Sequence, residues 1–215
     1  MTTLFVDIAG STSLLVHHPP ESVLHVVQCF MSLVTDVAYA HSGHVKDYEG
    51  DGALLYFEDT RDAVRTALVI RAELAAGRCN LTCGGGPGVA ARMSLTTGEV
   101  VIGVVGSSAR QGIALVGPSV NVGARLLKQV PPGGIIASAD VVAALRDDAP
   151  DLANTFSLGD RAFEVPGGGG LSVETYQARD SSEDAWSDGP SGPRHYRDEP
   201  NELAYEPKTG ISPRG

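Results

Sequence analysis

The chain has 215 residues, 42% of them hydrophobic, and a formal net charge of −10. That length and apolar content support one packed domain with appendages. An acidic chain carries no bulk positive field to neutralise phosphates, which argues against a general nucleic-acid binder.

Cysteine usage adds little chemistry. Cys29, Cys79 and Cys83 are an odd number. Cys79-Asn80-Leu81-Thr82-Cys83 has the look of half a metal site, but no second half is present, so ordinary reduced thiols are expected. No run long and apolar enough to cross a membrane and no basic-then-apolar leader is expected, and with them no membrane segment and a cytoplasmic location. The first strand starts almost at residue 1, so no N-terminal sensor is expected.

In chain order, residues 2–8 read as a strand buried on both faces, with Leu4, Phe5, Val6 and Ile8. Gly10-Ser11-Thr12-Ser13 opens a short helical turn, and the N–H groups of such a start attract anions. A helix follows from Pro19-Pro20-Glu21, with Val23, Val26, Val27, Phe30, Val34, Val37 and Ala38 at helical spacing, ending at Ser42-Gly43. Residues 44–57 read as a hairpin around Gly50-Asp51-Gly52. A helix over 60–76 comes next, then a glycine-rich loop at 83–88. Strands are read at 89–96, 100–105 and 113–116, with a loop over 106–112. A helix from Pro118 to Val130, a strand over 135–138 and a helix over 139–146 follow. Strands over 156–164 and 171–178 flank a turn at Gly167–Gly170.

The order β-α-β-β-α-β, with a hairpin between two helices, predicts an α+β fold: a ferredoxin-like βαββαβ core with extra strands and helices. From residue 180 the composition turns polar. Residues 180–215 hold eight acidic and four basic residues among many Pro, Gly and Ser. This segment reads as a disordered acidic tail behind a catalytic domain over 1–179.

Three features carry chemistry. Asp7 ends the first strand and Asp51 sits at the hairpin tip, and glycines beside both allow close approach. Two such carboxylates suit magnesium, and a pair of ions suits phosphoryl transfer. A turn cap at Asp7 and an ordinary turn aspartate at Asp51 remain open on spacing alone. The third feature is Asn121 and Arg125, four apart on one helix and therefore on one face. An Arg there could stabilise phosphate charge and an Asn could orient a sugar, against the alternative of a solvated polar face.

Taken together, four stretches resemble the class III adenylate/guanylate cyclase catalytic domain, in that family's order and spacing. They are Phe5-Val6-Asp7-Ile8-Ala9-Gly10-Ser11-Thr12, the run Tyr48 to Phe57, the run Thr97 to Gly106, and Gly117-Pro118-Ser119-Val120-Asn121-Val122-Gly123-Ala124-Arg125-Leu126. The match covers about residues 2–178. The resemblance implies a head-to-tail homodimer with active sites at its interface and ATP or GTP as substrate. Asp7, Asp51 and the Ile8 carbonyl would hold two ions, Mg2+ or Mn2+, from one subunit. Asn121 and Arg125 of the other would orient the ribose and stabilise charge on the α-phosphate. The backbone of residues 8–12, including Ala9, Gly10, Ser11 and Thr12, would cradle the β and γ phosphates.

Two positions depart from the family. Where its adenylate cyclases place a base-reading lysine, four residues before the second metal aspartate, stands Asp47, and Lys46 is one residue early. A one-residue offset in a strand puts a side chain on the other face. Where the family places an Asp or Thr that reads adenine stands Ala114. Asp47 could accept from guanine N1–H and N2–H. Because adenylate cyclases dominate the bacterial-looking members of the family, an adenylate cyclase is expected first, with a guanylate cyclase or a non-catalytic nucleotide-binding and dimerising module as alternatives. The Gly-Gly-Asp/Glu-Glu-Phe signature of diguanylate cyclases is missing.

Overall fold

The computed structural model describes residues 1–80, 88–160 and 162–179, so the acidic tail and Cys83 lie outside the described residues. The elements are β1 (Thr2–Ile8), α1 (Ser11–His17), α2 (Pro20–Ala40), β2 (His44–Glu49), β3 (Gly52–Phe57), α3 (Thr60–Ala75) and β4 (Ala91–Thr97). Then come β5 (Val101–Ser107), β6 (Arg110–Val116), α4 (Pro118–Leu126), β7 (Ile135–Ser138), α5 (Ala139–Asp148) and α6 (Pro150–Asn154). The last elements are β8 (Phe156–Leu158), β9 (Phe163–Glu164), β10 (Ser172–Val173) and β11 (Thr175–Ala178).

Seven strands form one sheet in the order β2-β3-β1-β4-β7-β11-β8. Its first four strands are antiparallel and carry the ferredoxin-like order expected of the βαββαβ core. Strand alternation divides the side chains between the two faces. Leu4, Val6, Ile8, Leu55, Phe57, Met93 and Leu95 point to one face and bury against Phe30 and Val34 of α2, Ala67 and Ile70 of α3 and Leu145 of α5. Burial of each large side chain is worth about 2 kcal/mol. The opposite face carries Phe5, Asp7, Arg92, Ser94 and Thr96. Helix α4 crosses it closely: Ser94 Oγ donates to the Gly123 carbonyl at 2.8 Å, and Thr96 Oγ1 to that of Ser119 at 2.9 Å. A Cβ at residue 123 would sit 2.9 Å from the Phe5 ring, so glycine is what lets the helix approach.

Several expectations are corrected. Helix α2 is long and apolar enough to cross a bilayer by length and composition, contrary to the reading that no run qualifies. Here Val23, Val26, Phe30, Leu33, Val34 and Ala38 are buried in the fold. Residues 106–112 are the tip of a long β5–β6 hairpin rather than a loop. Gly106 makes that tip possible, since φ is +116° and a Cβ would lie 2.2 Å from the Arg110 carbonyl oxygen. Residues 156–164 and 171–178 break into four short strands, and α6 was not foreseen. Helix α4 ends at Leu126 and tightens to a 3-10 turn over Leu127–Gln129.

Among the described residues the β5–β6 hairpin pairs only with itself. Val101, Val104, Val105, Ile113 and Val116 are all at least half exposed on it. A two-stranded ribbon is marginal alone and an apolar one invites a partner.

Candidate active site

β1 sits between β3 and β4, and Asp7 is paired with Gly52 on one side and Arg92 on the other. Glu49 faces Gly52, leaving Gly50-Asp51 as a two-residue hairpin turn with φ +66° at Gly50, as a type II′ turn requires. The Ile8 N–H donates to the Asp51 carbonyl at 3.3 Å, which ties the turn to the end of β1. Gly52 is needed where it stands, because a Cβ would lie 2.9 Å from the Val6 carbonyl oxygen and 3.4 Å from Asp7 Oδ1.

These constraints bring the carboxyls of Asp7 and Asp51 together. Burial and the neighbouring Asp51 carboxylate push the Asp7 carboxyl above its ordinary range, against the opposing pull of Arg92. Arg92 Nη2 donates to Asp7 Oδ2, while Arg92 Nε is buried without a hydrogen-bond partner. Arg92 was missed from the sequence. Its signal was a cation between the core residues Ala91 and Met93, at an alternate position facing away from the core.

Among the described residues no cluster of three or more His, Cys, Asp or Glu forms. The hard oxygens of Asp7 and Asp51 fit a divalent cation whose remaining ligands are carbonyls, water or substrate oxygens. A cation between them would relieve the repulsion that burial and Asp51 impose on Asp7.

At the start of α1, the N–H groups of Ile8 and Ala9 are already committed, the second to the Ala90 carbonyl at 2.8 Å. Of the cradle expected over residues 8–12, the N–H groups of Gly10, Ser11 and Thr12 lie at the helix start beyond these two bonds.

Strand β2 resolves the Lys46 offset. His44 and Val45 pair with Tyr56 and Leu55, but Leu54 is paired with Asp47, so Lys46 is the extra residue of a β-bulge. Val45 packs on the core, and Tyr48 Oη meets Thr35 Oγ1 of α2 at 2.7 Å, placing both on the helix-covered face. Lys46 and Asp47 both lie on the other face. Lys46 Nζ donates to Asp47 Oδ2 at 3.1 Å; the lysine side chain is 18% exposed and the aspartate 56%. The hydrogen bond and charge of Lys46 hold the Asp47 carboxyl below its ordinary range, with a smaller pull from Arg110 of β6. Ala114, on β6, is paired with Gly103.

Asn121 and Arg125 do not join Asp7 and Asp51 within the chain. Gly123 and Leu126 turn inward from α4, Asn121 is exposed, and Arg125 donates to the Pro166 carbonyl. Their polar edge faces away from their own sheet.

The sequence and fold match known proteins. The family model of the adenylate and guanylate cyclase catalytic domain matches residues 1–179. An uncharacterised protein of Mycobacterium tuberculosis is 33% identical over 159 residues, 69% of this chain and 28% of its own length. Adenylate cyclase 1 of Rhizobium meliloti is 30% identical over 156 residues, 68% of this chain and 24% of its own. The chain thus spans about a quarter of the length of these curated relatives. The adenylyl cyclase CyaB of P. aeruginosa superposes with a TM-score of 0.70 at 22% identity, covering 86% of this chain and 95% of that one. The guanylyl cyclase Cya2 gives 0.69 at 27% identity, covering 82% and 90%. The chain belongs to the adenylate and guanylate cyclase catalytic domain family.

Proposed function

We propose that the chain converts ATP to 3′,5′-cyclic AMP and pyrophosphate at the interface of a head-to-tail homodimer. The observation that carries this reading is the strand register that pairs Asp7 with Gly52 and ties the Asp51 turn to the end of β1 through the Ile8 N–H, setting the two aspartates side by side. The outward edge of α4 and the exposed apolar β5–β6 hairpin support a second copy as the source of Asn121 and Arg125.

Asp7, Asp51 and the Ile8 carbonyl would hold magnesium or manganese, two ions per site. When bound, the metal lowers the pKa of the ribose 3′-hydroxyl and neutralises charge on the leaving pyrophosphate. In the reaction the ribose 3′-oxygen bonds to the α-phosphorus, the bond from that phosphorus to the bridging oxygen of pyrophosphate breaks, and the hydroxyl proton passes to solvent. Asn121 orients the ribose. Arg125 stabilises the charge spread over the α-phosphate oxygens. The N–H groups of Gly10, Ser11 and Thr12 and the unmet Arg92 Nε donor serve the remaining phosphates. Lys46, returned by the bulge to the face of Asp47, supplies an ammonium that can donate to adenine N1, and Asp47 can accept from the adenine amine. The triphosphate pool lies in the cytoplasm, which supports that location for the domain.

A guanylate cyclase is the second reading, favoured by the exposed Asp47 carboxylate, which can accept from guanine N1–H and N2–H. Pyrophosphate release from ATP and from GTP, with and without manganese, at protein concentrations that permit dimers, tests the activity. Metal-dependent release is expected. Absence of release with both nucleotides would leave a non-catalytic module.

A further inference from the structure

The segment after α6 is bound to the helix that carries Arg125. Phe163 of β9 packs against the small cluster of Leu126, Val130 and Ile136 beneath the end of α4, as does Leu127. Val165 is buried, and its N–H donates to the Leu171 carbonyl at 2.9 Å, closing the base of the β9–β10 hairpin. The Gly168 N–H donates to the Val165 carbonyl at 2.9 Å and the Leu171 N–H to the Gly168 carbonyl at 3.2 Å, so the turn is held by its own backbone. Gly167, Gly169 and Gly170 have φ of +70°, +63° and +91°, a run of left-handed positions that glycine adopts without steric cost. The outcome is that the Pro166 carbonyl accepts from Arg125 Nη1.

We propose that the β9–β10 hairpin is a positioning element for Arg125, with the Pro166 carbonyl fixing the direction in which the guanidinium is presented to the partner's site. It rests on the cyclase reading, which makes Arg125 the residue that meets the α-phosphate. A guanidinium has five N–H donors in one plane, so one bond to a fixed carbonyl sets that plane and leaves four donors for phosphate. A long side chain on a helix surface otherwise samples many rotamers, and ordering it in advance lowers the cost of aligning it in the transition state. Gly167 matters because its φ sets the tilt of the peptide that bears the Pro166 carbonyl. A Cβ there would stand 3.9 Å from Arg125 Nη1, an ordinary contact, so a side chain would alter the turn without blocking the arginine.

The test is Gly167→Pro, which forces φ to about −65° and turns the carbonyl away. It removes no donor that the turn's backbone bonds use. Gly169→Ala is the control, a milder strain at another left-handed position of the same turn, with open space around the new Cβ and no tie to Arg125. With ATP and manganese, Gly167→Pro should lower kcat roughly tenfold with KM changed by less than about twofold. In an Arg125→Lys background it should cause no further loss, and Gly169→Ala should behave like the parent protein. Independently of turnover, modification by phenylglyoxal, mapped by mass spectrometry, should reach Arg125 several-fold faster in Gly167→Pro. Unchanged or increased kcat, or a loss that adds to that of Arg125→Lys, overturns the proposal, as does equal phenylglyoxal reactivity. If the parent protein releases no pyrophosphate, the cyclase reading fails, and the modification rates alone decide whether the hairpin holds Arg125.

Discussion

Lys46 and Asp47 are neighbours in sequence and stand on the same face of β2, because the bulge at Lys46 cancels the alternation that would separate them. The ammonium and the carboxylate meet at 3.1 Å, with the lysine packed and the aspartate facing solvent. In the proposed reading this pair meets the purine, and mutation separates the two contributions. Lys46→Ala should lower kcat/KM for ATP roughly tenfold to a hundredfold, the worth of a hydrogen bond to a charged group. Asp47→Lys should raise the ATP/GTP ratio of kcat/KM. If neither substitution moves that ratio, the pair does not face the base.

Asp51→Asn should exchange function for stability. Asp7 has a raised pKa, caused first by burial and then by the Asp51 charge. A carboxyl whose pKa is higher folded than unfolded penalises the folded state once the pH exceeds its unfolded value. Removing the like charge should therefore raise the Tm at neutral pH in metal-free buffer, and the gain should shrink as the pH falls toward 3.8, the ordinary aspartate value. Turnover should be lost at the same time. A lower Tm at neutral pH would show that the two carboxyls are not in repulsive contact.

Shared sites predict complementation. Asp51→Ala and Arg125→Ala should each be inactive alone. A heterodimer of the two holds one site with both mutations and one with neither. Equal mixing should then restore about a quarter of the parent activity, since half the dimers are mixed and each has one intact site of two. No recovery in a confirmed heterodimer would place the whole site within one chain.

Helix α3 offers a test away from the site. The Asp59 side chain accepts from the Arg61 N–H at 2.8 Å as the N-cap, and its hydrogen bond from the Arg61 guanidinium holds its pKa below the ordinary value. Asp59→Ala should cost about 1 kcal/mol of stability. Because the folded pKa is depressed, the full difference should be present above pH 3.8 and disappear as the pH falls through the lower folded value. Urea melts at neutral and acid pH measure it; a penalty that does not change with pH would mean the cap acts without its charge.

Much of this was legible in the sequence where local rules decide. β1 and β7 begin and end where apolar runs do, and α2 starts at its proline. The meeting of Asp7 with Asp51 followed from a strand end and a Gly-Asp-Gly turn in family order. What escaped reading depends on long-range pairing. The bulge at Lys46 exists only against Leu54 and Leu55, and no residue within β2 signals it. Arg92 gains its role from lying beside Asp7 across a ladder between distant segments. The β5–β6 tip read as a loop because its polar residues hide a two-residue turn, and the hold of Pro166 on Arg125 depends on a backbone carbonyl.

If two copies of this chain cyclise a purine triphosphate, the product carries the base they select. The most direct measurement is the product formed from an equal mixture of ATP and GTP with manganese at dimer-forming concentrations, resolved by chromatography and mass spectrometry. The proposed activity should give 3′,5′-cyclic AMP in excess of cyclic GMP, with one pyrophosphate per cyclic nucleotide. No cyclic product from either nucleotide would contradict it.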